Sequence, residues 1–224
     1  MWVELKQISL DEFLEYLPKL NDEQYYLFYL ISRDREVRDE LGVNIDKVLF
    51  RISEVNPSRA VQIMNSVREI SNVFTVRGIQ VKKEWVKIMF VLNPVNFVKA
   101  SRATATKFVQ QCGNGMKLDI MKIYNSEISR SIDFRIFMID VDNKSREIIE
   151  QMKGLKARLV ITTKRGFHIH VWKEDIMDPR SLFKIKGIEV KTRDSIEYVP
   201  FVNQGSFTPI AYRIDDAGEV TELL

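Results

Sequence analysis

One cysteine, Cys112, and two histidines, His168 and His170, are all that 224 residues offer to thiolate or imidazole chemistry. A single thiol excludes an internal disulfide and any zinc site built from several cysteines, and so cysteine-poor a chain fits an intracellular setting. No run of 18 or more apolar residues occurs, so no membrane-spanning helix is expected. The opening stretch MWVELKQISLDEF lacks the basic region and apolar core of a secretory signal. There is no internal repeat and no low-complexity tract. The glycine pair Gly113 and Gly115 is not followed by the Lys and Ser or Thr of a phosphate-binding loop.

Net charge is small as well, at +3, which by itself does not point to nucleic acid. Its distribution does more. Residues 1 to 45 hold 10 acids and 5 bases, a balance of −5, whereas residues 153 to 193 hold 11 bases and 4 acids, a balance of +7. A basic segment of that kind suits a polyanionic substrate. With 45% hydrophobic and 29% charged residues, the chain has the composition of a globular protein and is long enough to bury a sizeable core.

The most informative stretch runs from 134 to 172, FRIFMIDVDNKSREIIEQMKGLKARLVITTKRGFHIHVW. Side chains alternate between the two faces of a strand, so Asp140 and Asp142 are expected on one face, in line with Phe134, Ile136 and Met138. Two carboxylates that close are costly without a positive charge between them, and a hard divalent cation with oxygen ligands answers that need. The second apolar run supplies donors for a metal-bound phosphate: Thr162, Thr163, Lys164 and Arg165, then Gly166 for close backbone approach and His168 on the next strand.

The pattern Ile-Asp-Val-Asp followed by Thr-Thr-Lys-Arg-Gly-Phe-His-Ile-His-Val resembles the first two motifs of the archaeo-eukaryotic primase superfamily, as found in small catalytic primase subunits and in plasmid and viral primase-polymerases. Thr162 stands where the second motif has Ser, Lys164 and Arg165 where it has two Arg, and Gly166 and His168 where it has Gly and His. Thr163 departs from the pattern by replacing a Gly. The phrase FVLNP, at 90 to 94, resembles a strand ending in the same superfamily. The resemblance implies an α+β fold with an α/β module followed by an RRM-like antiparallel sheet. It also implies Mg2+ or Mn2+ as cofactor, nucleoside triphosphates and a single-stranded DNA template as substrates, and a helicase or large primase subunit acting in trans. A cysteine-rich zinc knob, common in small primase subunits, is excluded here.

Along the chain, residues 9 to 41 read as two helices, capped at Ser9 or Asp11 and at Asn21 and separated by Pro18. With them, residues 1 to 45 form an acidic helical extension in which Tyr25, Tyr26, Phe28 and Tyr29 pack. Residues 46 to 132 follow as an α/β module: a strand at 47 to 53, a helix entered at Pro57 and Ser58, strands near 73 to 80 and 85 to 92, and a helix capped by Asn96. Gly113 to Gly115 is a candidate hinge, and 117 to 132 is open between helix and coil. Residues 133 to 224 form the RRM-like module, with strands near 158 to 163, 167 to 173, 187 to 191, 196 to 201 and 210 to 214, and helices at 145 to 152 and after Pro179.

Two-metal nucleotidyl transfer generally takes three carboxylates. Glu189, mid-strand between Ile188 and Val190, is the first choice for the third, and Asp194 the second. Asp140, Asp142 and Glu189 are then the catalytic and metal-holding set, with Thr162, Lys164, Arg165, Gly166 and His168 binding nucleotide. Two other readings stay open. His168-Ile169-His170 fits the paired histidines of rolling-circle initiators, in which a tyrosine such as Tyr198 or Tyr212 attacks DNA. A catalytically silent, primase-like binding subunit would keep the basic groove without using the acids.

Overall fold

The computed structural model describes residues 5–33, 39–40, 42–112, 119–142, 148, 151–152, 155–193 and 195–214. In chain order the first half gives β1 (Lys6–Gln7), α1 (Leu10–Tyr16), β2 (Gln24–Ser32), β3 (Lys47–Glu54), α2 (Pro57–Glu69), β4 (Thr75–Val76), β5 (Ile79–Gln80), β6 (Val86–Val91), β7 (Val95–Asn96) and α3 (Phe97–Cys112). The second half gives α4 (Ile120–Arg130), β8 (Ile136–Val141), β9 (Leu159–Thr162), β10 (Phe167–Trp172), β11 (Glu189–Lys191), β12 (Ile196–Tyr198) and β13 (Ala211–Arg213). The candidate hinge at 113 to 115, most of the helix expected at 145 to 152, and Asp194 lie outside the described residues.

Helix starts follow their caps. Ser9 and Glu12 close a capping box on α1, Asn56 accepts from the Arg59 amide at 3.1 Å with Pro57 at the first turn, and Asn96 accepts from the Lys99 amide at 2.7 Å. Asp119 does the same for α4, which settles 120 to 130 as helix.

One expectation is overturned. The second helix expected over residues 21 to 41 is, from 24 to 32, the strand β2, and it lies in the interior of a sheet ordered β12-β6-β2-β3. Tyr26, Phe28 and Leu30 face one core while Tyr25 and Leu27 face another. With both faces covered, a strand reads as a continuous apolar run, and the alternation that marks a half-buried strand disappears. Its aromatic content suits the pleated surface. The acidic N-terminal segment is therefore part of the main sheet rather than a helical extension.

The second sheet is ordered β1-β13-β9-β10-β8-β11, and every pairing in it is antiparallel. Sheet membership does not follow the expected divisions at 46 and 133, because β1 joins the second sheet beside β13 and β12 returns to the first beside β6. Ile136, Met138, Leu159 and Ile161 of the second sheet share a core with Phe28, Leu30, Ile88 and Phe90 of the first, to which α1 and α2 add Phe13, Ala60 and Met64. The other face of the second sheet packs Phe137, Ile139 and Val141 against Ile148, Met152 and Leu182. The fold is thus mixed α+β with antiparallel sheets, and no helix among the described residues is long and apolar enough to cross a membrane.

The FVLNP turn has a definite task. Asn93, fully buried, accepts from the Arg135 and Ile136 amides at 2.9 and 2.8 Å and donates to the Ile136 carbonyl at 2.9 Å. It pins the start of β8, the strand that carries the acids, to the end of β6.

Candidate active site

Strand register assembles the site. Asp140 on β8 lies opposite His168 on β10 and opposite Glu189 on β11, so the three residues form one row across three neighbouring strands. Alternation puts them on the same face as Met138, towards the first sheet. Asp142, one residue past the end of β8, is exposed and lines the same cleft as Asp140.

This cleft has a volume of 180 Å³. One part of its lining is Asp140, Asp142, His168 and Lys191, and the turn between β9 and β10 contributes Thr163, Lys164 and Arg165. Arg33 and Lys87 add further basic groups, and Met89, Tyr198 and Phe207 an apolar and aromatic side. Cations and an aromatic pair, Tyr198 edge-on to Phe207 at 5.2 Å, meet the two aspartates there.

Thr162 does not join them. It pairs with Phe167, on the face away from Asp140, and its hydroxyl accepts from the Ile210 amide at 2.9 Å. The expected role of Thr162 as a phosphate donor is therefore corrected by one position: Thr163 lines the cleft, and its hydroxyl accepts from the Gly166 amide at 3.1 Å. Gly166 serves a close approach, as expected, but to protein backbone. A Cβ there would overlap the Val141 carbonyl oxygen and lie 2.9 Å from its carbon.

The electrostatics turn on two groups that sequence reasoning missed. Lys191 Nζ donates to Asp140 Oδ2 at 2.7 Å and lies 3.4 Å from Glu189 Oε2. Partial burial works against the Asp140 charge, but His168 and Lys191 outweigh it and hold the carboxyl well below its usual range. Glu197, on β12 and fully buried, receives His168 Nδ1 at 2.8 Å and His170 Nε2 at 3.0 Å. Burial opposes both charges of this pair, yet their mutual attraction prevails: His168 is pushed up to about 10 and Glu197 down to about 2. A signal for Glu197 was present, since an acid between Ile196 and Tyr198 is as unexpected mid-strand as Glu189.

A pH dependence follows. The raised His168 contributes stability that is complete below 6.5 and is lost as pH rises towards 10, while the lowered Glu197 contributes stability that is complete above 4.5 and is lost as pH falls towards 2. Thermal melts should show the full contribution of the pair between pH 4.5 and 6.5. With Glu197→Gln the decline on the alkaline side should become shallower; an unchanged slope would count against the pairing.

Among the described residues no three of His, Cys, Asp and Glu stand close enough together to hold a metal ion. The donor set is nevertheless of the hard-oxygen kind that Mg2+ or Mn2+ takes, and Asp140 and Glu189 already share a cation, the Lys191 ammonium. A divalent ion there would have to displace the Lys191 ammonium and gather a third donor that the described arrangement does not bring close. Lys191→Met should accordingly tighten Mn2+ binding about tenfold, measured by calorimetry or Mn2+ paramagnetic resonance, since it removes a competing charge a few ångströms away.

Comparison with known proteins returns nothing: no family model, no curated protein and no solved structure matches this chain.

Proposed function

We propose that this protein is a metal-dependent nucleotidyltransferase, a DNA primase or primase-polymerase that joins nucleoside triphosphates on a single-stranded DNA template. The observation that supports the reading is the strand register that sets Asp140 beside His168 in a cleft rimmed by Thr163, Lys164 and Arg165, with Glu189 opposite Asp140 on the next strand, exposed and outside the cleft lining. Asp140, Asp142 and Glu189 would hold Mg2+ or Mn2+, which when bound activates the attacking hydroxyl and neutralises the leaving pyrophosphate. Lys164 and Arg165 orient the triphosphate by charge-assisted hydrogen bonds. His168, charged at neutral pH through Glu197 and Asp140, adds a fixed positive charge beside the acids. The fold belongs to the same reading, with the second sheet as the RRM-like module. A helicase or large primase subunit acting in trans would supply template handling.

Of the two other readings, the rolling-circle nickase loses its main support. Its paired histidines must converge on an ion open to substrate, whereas His168 and His170 converge on a buried carboxylate, and His170 has no solvent access. The silent binding subunit keeps one observation in its favour, the neutralisation of Asp140 by Lys191. Three readouts on the same single-stranded DNA separate the readings. Extension or synthesis on single-stranded DNA with Mg2+ or Mn2+ supports the polymerase. A covalent adduct between DNA and a tyrosine supports the nickase, and DNA binding with neither reaction supports the silent subunit.

A further inference from the structure

Glu197 stands in the first sheet, opposite Phe90 on β6, yet its side chain reaches the histidines of the second. A carboxylate without solvent access is costly unless fully bonded, and this one is. It accepts from His168 Nδ1 at 2.8 and 2.9 Å, from His170 Nε2 at 3.0 Å and from the Tyr198 amide at 2.6 Å.

The two rings present different nitrogens to it. His170 Nδ1 is buried without a hydrogen-bond partner, which fits a ring protonated on Nε2 alone, because an orphaned acceptor is tolerated better than an orphaned N–H. Tyr16 stacks on the same ring at 6.0 Å between centroids and 20° between planes. His170 is therefore held by Tyr16 and by Glu197, and it anchors the carboxylate in turn. His168 uses its Nδ1 on this anchor, which leaves Nε2 3.5 Å from Asp140 Oδ1, at the cleft.

We propose that Glu197 is a positioning residue: by binding His168 Nδ1–H from the opposite sheet, it keeps Nε2 of that ring directed at Asp140 and at an entering nucleoside triphosphate. The partner met by Nε2 rests on the nucleotidyltransferase reading, while the orientation of the ring rests on geometry alone. A purely structural role would lower stability without reference to His168; a positioning role acts only through it.

A double-mutant cycle tests the difference, with affinity for a nonhydrolysable ATP analogue and Mn2+ measured by calorimetry. Glu197→Gln and His168→Ala should each weaken binding about tenfold, and the double variant should bind no more weakly than His168→Ala alone. In parallel, proton NMR of the wild type should show slowly exchanging, downfield ring N–H resonances from both histidines that move upfield in Glu197→Gln. Additive losses in the cycle, or ring resonances that ignore the substitution, would overturn the proposal. If the wild type binds no nucleotide while the ring resonances do shift, the orientation is upheld and the nucleotidyltransferase reading falls. Should Glu197→Gln fail to fold, His170→Gln keeps the carboxylate and loosens its anchor. It should weaken nucleotide binding several-fold in the wild-type background and leave it unchanged in the His168→Ala background.

Discussion

On the proposed nucleotidyltransferase reading, replacing Asp140 and Asp142 together by Ala should abolish template-dependent synthesis, with a loss of about a thousandfold or more, because the ions that would activate nucleophile and leaving group lose their central ligands. Asp140 has the greater share. It lies in register with both His168 and Glu189, whereas Asp142 is exposed at the end of β8. Asp140→Ala also frees Lys191 and takes one of two carboxylates from His168, so the local charge becomes strongly positive. Asp140→Asn is the needed control, since it keeps the shape and an acceptor for Lys191 while removing the charge. Primer synthesis on single-stranded DNA, with circular dichroism melts beside it, reads both effects. Synthesis that survives in Asp140→Asn would remove the metal-ligand assignment, and a collapsed fold in that variant would make Asp140 a structural partner of Lys191 instead.

Gly166→Ala should be strongly damaging. The new Cβ would collide with the Val141 carbonyl and come within 3.2 Å of the Asp142 Cα, and both neighbours are backbone of the strand that carries the acids. Nothing there is a flexible side chain that can turn away. Either the turn lifts, taking Lys164 and Arg165 with it, or β8 is pushed and Asp140 moves. A loss of about 2 to 4 kcal/mol in unfolding free energy is expected, in the range of overpacked sites, together with the loss of synthesis. Gly78→Ala offers the comparison. Gly78 has a φ of +82° but open space around its Cβ position, so its cost should stay near 1 kcal/mol. Equal melting shifts in the two variants would show that β8 and the turn do not bear on each other as described.

The parts of the molecule that could be read from residue order are those fixed by local chemistry. Caps at Ser9 and Asn96 and the proline entry at Pro57 start helices where local chemistry favours them, β8 declares itself as an apolar run ending in the aspartates, and β10 as an alternation starting at His168. Glu189 was singled out because an acid amid Ile188 and Val190 was expected to need a partner; it lies opposite Asp140 with Lys191 3.4 Å away, but it opens β11 with 70% of its side chain exposed, so burial does not demand that partner. What could not be read depends on pairing over long separations. Gln24–Ser32 is apolar on both faces only because two different cores cover it, and neither core is visible within its nine residues. Thr162 and Thr163 differ in role because the strand ends between them, a boundary that propensity places no better than within a residue or two. Glu197 reaches the histidines from another sheet, and no spacing along the chain announces that meeting.

The exchange of β1 and β12 between the sheets bears on how the molecule is made. During synthesis the first sheet lacks one edge until residue 198 has emerged, and the second cannot seat β1 until β13 exists to receive it. Early segments must wait, partly exposed, for late ones, so folding should be slow. Cutting the polypeptide near residue 132 would yield two fragments that each retain a strand belonging to the other; such halves should complement each other when mixed rather than fold apart.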